Sequence, residues 1–312
     1  MTAILEPVEA VAPLVSRVAD QVSVVLSELG EHAPYQLDTR LLLRRTLLHL
    51  LRFSDTELAE SGTIETEVAR LAAKALISQR LVPCALQSRR AGDIDVRQSH
   101  LEVCDARITT AVHTAFHYLG SVRRDGVHLG LSAGPGLEGL LSVATFAPLD
   151  VPHLKNTLPD GIEPTQVLVL ARLVAFEGAP RNTLSRTLRL AASWLRLRNP
   201  SIRFLLTYLD PNLGFSGSFY RAANWIPYAR EMKRRYLYLD ADYVTDRAMI
   251  ANYGTAELGR LQRELGGRVT VSVRPLRPLD IYAYPIDAAA RRALEAVEVR
   301  ELIPPPEIAR AR

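Results

Sequence analysis

The sequence has few of the features that would place it among secreted or membrane proteins. Its 312 residues include two cysteines, Cys84 and Cys104, which form no CxxC pair and no disulfide framework. That scarcity suits a reducing cytoplasm. No stretch approaches the roughly 20 uncharged apolar residues of a membrane span, and the N-terminal MTAILEPVEA lacks the basic start of a signal peptide. We therefore expect a cytoplasmic protein with no membrane partner.

The chain also has only a small excess of basic over acidic residues. Lys and Arg total 38 against 34 acidic residues, a formal charge of +4, so charge alone does not establish a nucleic-acid partner. Most of the basic residues are arginines, whose planar donor fork suits phosphates, but on composition alone a solvated arginine-rich surface is the preferred interpretation. Hydrophobic residues make up 48% of the chain, which is enough for a buried core at this length.

The spacing of apolar residues divides the chain into three parts. Residues 1–90 show helical spacing, with a capping box at Ser54 and Glu57. They contain no motif that carries chemistry, so we predict a helical cap, a docking module or a dimer surface. From 91 to 290, strand-like and helix-like segments alternate, which predicts an α/β or α+β domain. Residues 291–312 are predicted to be a frayed tail.

Individual segments of the second part predict its elements. The predicted strands are DIDVRQ, VHLGLS, LLSVATFA, QVLVLARLVAF, RFLLTYLD, WIPYAR, RRYLYLD, VTVSVRP and LDIYAYPID. The predicted helices are DARITTAVHTAFHYLG, ending at Gly120, then NTLSRTLRLAASWLRLRN, FYRAANW, and a pair between Asp246 and Leu265.

The strongest local signal is a strand, a loop and a helix in QVLVLARLVAFEGAPRNTLSRTL. The polar loop holds Arg181 and Asn182, and a helix begins there with Ser185 and Arg186. The N–H groups and positive dipole end of such a helix form an anion site, and the arginines would add charge-assisted contacts to phosphate. A pyrophosphate like that of coenzyme A would fit. A well-capped helix with exposed arginines gives the same pattern.

A second signal lies in LLTYLDPNLGFSGSFYRAANW. Asp210 stands at a strand end, and Gly214 and Gly217 indicate a tight, exposed loop. Tyr220 and Asn224 follow, four residues apart on one face of a predicted short helix. A carboxylate that takes a proton from an amine and a phenol that returns one to a leaving group would form a reactive cleft. A turn aspartate beside core aromatic residues is the plainer alternative.

Two histidines, His113 and His117, stand four apart on a predicted helix, which is the spacing of many metal-ligand pairs. No Glu lies between them in the HExxH manner, and two ligands do not complete a site. Packing or hydrogen-bonding histidines are therefore the preferred interpretation, and we predict no metal site. His117 remains a candidate catalytic base.

Several of these segments, in their order along the chain, resemble a known family. The series is HYLG at 117–120, LGLSAGPGLEGLLSVATFAP, ARLVAFEGAPRNTLSR, TYLDPNLGFSGSFYRAANWIPYA and DIYAYPID. It is similar to the Mom-type DNA adenine-modification family of phages and to GNAT-like relatives. The resemblance spans residues 93 to 287, and the segment from Tyr208 to Trp225 is its most specific part.

The resemblance implies a GNAT-like fold, with a twisted mixed sheet that is splayed at its middle and flanked by helices. It also implies transfer of a small acyl or glycine-derived group to an amine, with acetyl-CoA or another CoA thioester as cofactor. In Mom proteins that amine is the exocyclic nitrogen of adenine in DNA. The implied cofactor contacts are Arg172, Arg181, Asn182, Ser185 and Arg186. The implied catalytic residues are Asp210, Tyr220, His117 and Tyr118, with substrate contacts from Tyr208, Phe215, Asn224 and Trp225.

The sequence departs from the family pattern at a few positions. The loop APRNTLSR has no glycine, although the phosphate loop of an ordinary GNAT enzyme has one, and Phe215 stands where a histidine is usual. Two other functions therefore stay open: N-acylation of a small-molecule amine or an aminoacyl-tRNA-linked substrate, and a non-catalytic binding module. A homodimer through the N-terminal helices is a further expectation.

Overall fold

The structure is a computed structural model that describes residues 12–30, 38–60, 62–80, 82–83, 86, 94–121, 123–232, 235–295 and 299–302. Cys84 and most of the predicted joint near Arg90 lie outside these ranges. The N-terminal helices are α1 (Ala12–Gly30), α2 (Thr39–Leu50), α3 (Asp55–Ala59) and α4 (Thr63–Gln79). The predicted capping box is present at α3, because Ser54 and Glu57 bond each other's backbone N–H groups.

The rest of the described chain mixes strands and helices. The strands are β1 (His100–Val103), β2 (Val127–Ser132), β3 (Leu140–Pro148), β4 (Val167–Ala175), β5 (Phe204–Leu209), β6 (Ile226–Glu231), β7 (Leu237–Leu239), β8 (Asp242–Val244), β9 (Val269–Val271), β10 (Leu279–Pro285) and β11 (Arg300–Leu302). The helices are α5 (Ala106–Phe116), α6 (Pro152–Lys155), α7 (Thr183–Arg198), α8 (Ser218–Ala222), α9 (Asp246–Tyr253), α10 (Leu258–Leu265) and α11 (Ala288–Glu295).

Eight strands form one mixed sheet in the order β1-β2-β3-β4-β5-β10-β6-β11. Helices α7 and α8 pack on one face through Leu188, Leu195 and Tyr220, and α11 packs on the other through Ala290 and Leu294. The remaining strands form a three-stranded sheet in the order β8-β7-β9, inserted between β6 and β10. The predicted α/β class is confirmed, with a large mixed sheet flanked by helices and a helical region before it.

The centre of the large sheet opens into a fork. Strands β4 and β5 run parallel but pair over only three residues each, 167–169 with 204–206. Beyond these residues β4 continues beside β3, and β5 continues beside β10. Thr207 lies at the base of the fork, where its hydroxyl donates to the carbonyl oxygen of Leu170 at 3.2 Å. This opening is the splayed sheet that the resemblance implies.

Three segments differ from the predictions. DIDVRQ forms a 3₁₀ turn over Val96–Gln98 instead of a strand, because the Asp95 carboxylate accepts from the N–H of Arg97 at 2.9 Å and fixes a turn. Helix α5 ends at Phe116, four residues before Gly120, and His117 is already extended. The sheet also continues past residue 290, since β11 pairs in parallel with β6.

The N-terminal helices share a core with the second half of the chain. Helices α1, α2 and α4 bury Val18, Leu47 and Val68 in the same cluster as Leu213 and Tyr238. The hydroxyl of Tyr238 donates to the carbonyl oxygen of Leu48 on α2 at 2.7 Å. The helical region is therefore docked beside the end of β5, within its own chain. A homodimer through these helices stays a prediction.

Candidate functional site

Asp210 directly follows β5 at the mouth of the fork, and its carboxylate is held by three donors. Oδ1 accepts from the backbone N–H and the side-chain Nδ2 of Asn212, at 3.1 and 2.9 Å. Oδ2 accepts from the hydroxyl of Tyr236, which comes from the segment before β7. Asn212 is itself fixed by the backbone of Arg277. The carboxylate is thus held in one orientation, and a lone pair on Oδ2 is still open to a further donor.

Tyr118 lies in the turn after α5, where the charge of Asp210 acts on its phenol. Burial, then the charge of Asp210, raises the pKa of the Tyr118 phenol above its ordinary value. Within the described part of the chain, its hydroxyl makes no hydrogen bond. Its ring packs against Phe215 at a centroid distance of 5.3 Å. Tyr118 is therefore a protonated phenol whose hydroxyl is uncommitted.

Arg172, on the β4 side of the mouth, does not reach the predicted cofactor loop. Nε donates to the carbonyl oxygen of Ser121 at 2.8 Å, and Nη2 donates to the Ser121 hydroxyl at 2.9 Å. Nη1 donates to the carbonyl oxygen of Ala171. The guanidinium instead fixes the turn that carries Tyr118 and places a positive charge beside it. We call Tyr118, Arg172, Asp210, Phe215 and Tyr236 the fork-mouth cluster.

His117 adjoins this cluster but is not arranged as a base. Its Nδ1 accepts from the backbone N–H of Leu119 at 3.2 Å. Burial, then the charges of Arg172 and other basic neighbours, holds the pKa of His117 well below its ordinary value, so the ring is neutral. In that tautomer Nε2 carries the proton and can only donate. This arrangement favours a donor role for Nε2, and the role of His117 as a base stays a prediction.

Helix α5 ends between His113 and His117, although their rings still lie 5.9 Å apart in an edge-to-face arrangement. His113 Nε2 lies 2.9 Å from the hydroxyl of Thr145, which is also 3.0 Å from Nδ1 of His128. These are buried hydrogen-bonding histidines. Across the described ranges, no three His, Cys, Asp or Glu side chains are grouped to hold a metal ion.

Tyr220, predicted to lie in the cleft, is in the core of the domain. Thr207 donates its only hydroxyl hydrogen to Leu170, so at 3.1 Å the hydroxyl of Tyr220 is the donor to Thr207. The Tyr220 ring stacks on Tyr282 at 5.4 Å and is 6% exposed. Burial raises the pKa of Tyr220 to about 12. Its proton therefore serves to fix α8 against the base of the fork.

The other predicted substrate contacts do not meet at one place either. Helix α8 ends at Ala222, and Asn224 follows in an exposed left-handed turn with φ 61°. Trp225 is only 2% exposed, which leaves no face for stacking a base. Tyr208 points to the opposite side of β5 from Thr207 and donates to Glu231 at 3.0 Å. Of the four predicted contacts, only Phe215 lies in the fork-mouth cluster.

The loop after β4 has the backbone form of an anion site. Asn182, at the start of α7, takes the left-handed conformation (φ 70°) that glycine adopts most readily, and its side chain does not cap the helix. Asn182 thus gives the loop APRNTLSR, which has no glycine, the left-handed backbone that a glycine would adopt. The N–H of Thr183 bonds the carbonyl oxygen of Pro180 at 3.2 Å, so the available N–H groups of the first turn are those that follow it, which no side chain caps. Arg181 is exposed beside them.

The other two predicted members of this loop contribute less. The Ser185 hydroxyl donates back to the carbonyl oxygen of Asn182 at 3.1 Å. Arg186 donates through Nη2 to the carbonyl oxygens of Arg97 and Ser99, at 3.0 and 3.1 Å, so it ties α7 to the turn before β1. Arg186 is therefore a structural arginine in this structure, contrary to its predicted place in the cofactor loop.

Sequence reasoning missed Asn212, Tyr236 and Arg44. Asn212 could have been found, since an Asp two residues before an Asn at a strand end is the pattern of an Asx turn. Tyr236 carried no such signal, because its approach to Asp210 depends on the tertiary fold. Arg44 and Arg45 interrupt the apolar face of LLLRRTLL, and that interruption marks α2 as a helix with one half-buried arginine, Arg44, and one buried arginine, Arg45.

The chain was compared with known families and structures. Residues 98–302 match the family described as "Mom protein family". The chain belongs to the Mom protein family. The N-terminal helices α1 to α4 lie outside the matched residues. No curated protein sequence matches the chain. No helix in the described part of this Mom-family chain is long and apolar enough to cross a membrane.

Three solved structures illustrate the fold comparison. An N-acetyltransferase from Staphylococcus aureus Mu50 has 8% identity and TM-score 0.33, and the match covers 61% of this chain and 99% of that chain. The ribosomal-protein-S18-alanine N-acetyltransferase from Escherichia coli has 11% identity and TM-score 0.31, with 61% and 94% covered. Spermidine N-acetyltransferase from Vibrio cholerae, in complex with CoA and spermine, has 5% identity and TM-score 0.32, with 61% and 96% covered. Likeness at this level assigns no residue and no substrate.

Proposed function

We propose that this Mom-family protein is a group transferase that moves a small acyl or glycine-derived group onto the exocyclic amine of adenine in nucleic acid. The observation that carries the proposal is the fork mouth, where Asn212 and Tyr236 fix the carboxylate of Asp210 and the charge of that carboxylate acts on the phenol of Tyr118, whose hydroxyl is uncommitted within the described structure. Membership of the Mom family supports the choice of acceptor. The buried core beneath the fork supports a site that holds its geometry without bound substrate.

Two residues of the cluster suit the proton transfers that an acyl transfer to an amine requires. As the amine forms its new C–N bond it must release a proton, and the open lone pair on Oδ2 of Asp210 can accept that proton. The leaving group must gain a proton, and Tyr118 carries one because burial and Asp210 raise its pKa. Tyr236 and Asn212 keep the carboxylate in position and act as positioning residues.

The loop after β4 fits the pyrophosphate of a coenzyme A thioester. Its uncapped helix start, its left-handed Asn182 and its exposed Arg181 form a backbone-lined anion site. A bound thioester would supply the activated acyl group and leave as a thiol. Arg172 and Arg186 are committed elsewhere and are not part of this proposed contact.

The proposal is tested by nucleoside mass spectrometry of DNA and tRNA from cells that express the protein. Cells expressing Asp210→Asn serve as the negative control. Asp160→Asn is the matched control, because Asp160 is an exposed carboxylate that bonds no other side chain in the described part of the chain. We expect a new adenine-derived mass with the wild-type protein and Asp160→Asn, and none with Asp210→Asn. If no new mass forms in DNA or tRNA, adenine modification is refuted, and small-molecule amines with CoA thioesters are the next acceptors to assay.

A further inference from the structure

Two neighbouring arginines on α2, Arg44 and Arg45, differ in their hydrogen bonding. Arg45 donates through Nη2 to the carbonyl oxygens of Thr114, Ala115 and His117, at 2.8, 3.2 and 3.0 Å. These bonds satisfy the C-terminal end of α5 and fasten α2 to the turn that carries Tyr118. Arg44 is the adjacent residue, and no acceptor among the described residues lies within hydrogen-bonding distance of its guanidinium.

Arg44 nevertheless has a defined place beside the fork mouth. Its guanidinium carbon lies 4.0 Å from the centroid of the Phe215 ring, and Phe215 in turn packs against Tyr118. Nε of Arg44 is buried and has no partner. Asp38 is the carboxylate whose charge acts most on Arg44. Its Oδ1 caps α2, and it forms no ion pair with Arg44 in the described part of the chain. Burial lowers the pKa of Arg44 to about 10.

Arg44 is half-buried, and its Nε is shielded from solvent without a partner. A shielded polar group normally has a counter-charge or hydrogen bonds that offset its desolvation. Phe215 covers the plane of the Arg44 guanidinium, which leaves the N–H groups at its edge to bind an acceptor in that plane. The positive neighbours Arg40 and Arg45, with Arg172 beside Tyr118, favour an anionic acceptor. A phosphate oxygen suits this fork of donors.

We propose that Arg44, seated on Phe215, binds a phosphate group of the ligand that occupies the fork mouth. The helical region, which lies outside the matched family residues, then completes the site of the transferase domain. This inference rests on the proposed function for the place of the ligand. A phosphodiester of a polynucleotide and a phosphate of coenzyme A share the required chemistry, and the two sources are separated by the probes below.

Binding measurements on the full chain test this site. The probes are a labelled single-stranded deoxyoligonucleotide by fluorescence anisotropy, coenzyme A by calorimetry, and inorganic pyrophosphate by thermal shift. We expect Arg44→Gln to weaken binding of at least one probe by about tenfold or more, and Arg44→Lys to weaken it less, since the charge remains. Arg292→Gln, which removes an exposed arginine on α11 on the other side of the sheet, is the matched control and should bind as the wild type does.

The pattern across probes identifies the source of the phosphate. A loss confined to the oligonucleotide, with a log–log salt slope reduced by about 0.7 for one lost phosphate contact, places the phosphate on the acceptor. A loss confined to coenzyme A places it on the donor. Thermal unfolding supplies a second readout: Arg44→Gln should keep or raise the melting temperature, whereas Arg45→Gln should lower it.

Two outcomes overturn the inference. One is that Arg44→Gln binds every probe as tightly as the wild type; the other is that the wild type binds no phosphate-bearing probe. Its failure is distinct from failure of the proposed function. Unchanged probe binding by Arg44→Gln in a protein that does modify adenine would refute the phosphate contact alone. Weakened probe binding in a protein that modifies no adenine would refute the proposed function alone.

Discussion

The two sides of the fork differ in how their polar groups are held. We call β4 with its following loop the β4 arm, and β5 with Asp210 the β5 arm. On the β4 arm, the loop around Asn182 makes few side-chain bonds and offers backbone N–H groups to an anion. On the β5 arm, Asp210 is enclosed by Asn212 and Tyr236, which belong to separate segments of the chain. Binding a polyanion needs donors that are accessible, whereas proton transfer needs one carboxylate in one orientation. Under the proposed function the β4 arm binds the ligand and the β5 arm transfers the proton, and we call them the binding arm and the reactive arm.

Removing the carboxylate of the reactive arm should have the largest effect. We expect Asp210→Asn to lower kcat by about 10² to 10⁴-fold, because the amide cannot accept the amine proton. Single-turnover kinetics with the acceptor identified by mass spectrometry would measure this, with Asp160→Asn as the control. Comparable rates for Asp210→Asn and the wild type would show that this arm is not reactive.

The second largest effect is expected from acid, which should destabilise the folded protein through His113 and His117. Burial, as the first cause, lowers the pKa of His113 to about 3 and that of His117 well below 6.5. The unfolded chain gains protons at these residues below about pH 6.5, whereas the folded chain does not. The free energy of unfolding should therefore fall with decreasing pH, by up to about 1.4 kcal/mol per pH unit for each histidine. Urea unfolding between pH 7 and 5 measures the slope, and His113→Gln should reduce it.

Two tyrosines distinguish reactivity from packing. Tyr118→Phe should lower kcat about 10- to 100-fold with little change in stability, since its hydroxyl makes no hydrogen bond in the described structure. Tyr220→Phe should cost about 1 kcal/mol of unfolding free energy, through the lost bond to Thr207, and keep most of kcat. If Tyr220→Phe lowers kcat strongly and Tyr118→Phe does not, Tyr220 is the reactive tyrosine and Tyr118 is not.

The binding arm should respond most weakly, and through backbone conformation. Asn182→Gly keeps the left-handed start of α7 and should bind coenzyme A as the wild type does. Asn182→Val should lose about 1 to 2 kcal/mol of stability or binding, because a β-branched residue resists positive φ. Calorimetry on both variants checks this. Equal binding by Asn182→Val would show that the loop conformation does not matter.

Much of the fold could be predicted from the sequence because its signals are local. The apolar run of β4, the amphipathic spacing of α7 and the Ser54–Glu57 box each lie within a single segment. The splayed sheet followed from the resemblance. The strand predicted at DIDVRQ was wrong because one side-chain bond from Asp95 outweighs the alternating pattern there.

The site was predictable only in part, since its members are joined by tertiary contacts. Asp210, Tyr118 and Phe215 were all named in advance, and the structure brings them together. Tyr220 and Asn224 were placed on one helical face, but α8 ends between them. Tyr236 and Arg44 reach the fork mouth from segments far away in the chain, and no spacing rule connects them to Asp210.

The bond between Tyr238 and Leu48 also bears on how the chain is made. The two residues are 190 positions apart, and the core they share also includes Leu213 and Tyr236. During synthesis at about 5 to 20 residues per second, the first helices wait roughly 10 to 40 seconds for these partners to emerge. The helices can bury most of their apolar residues against one another, but the surface that meets Leu213, Tyr236 and Tyr238 is exposed to solvent for that time. This surface is therefore a place where the nascent chain is prone to aggregate.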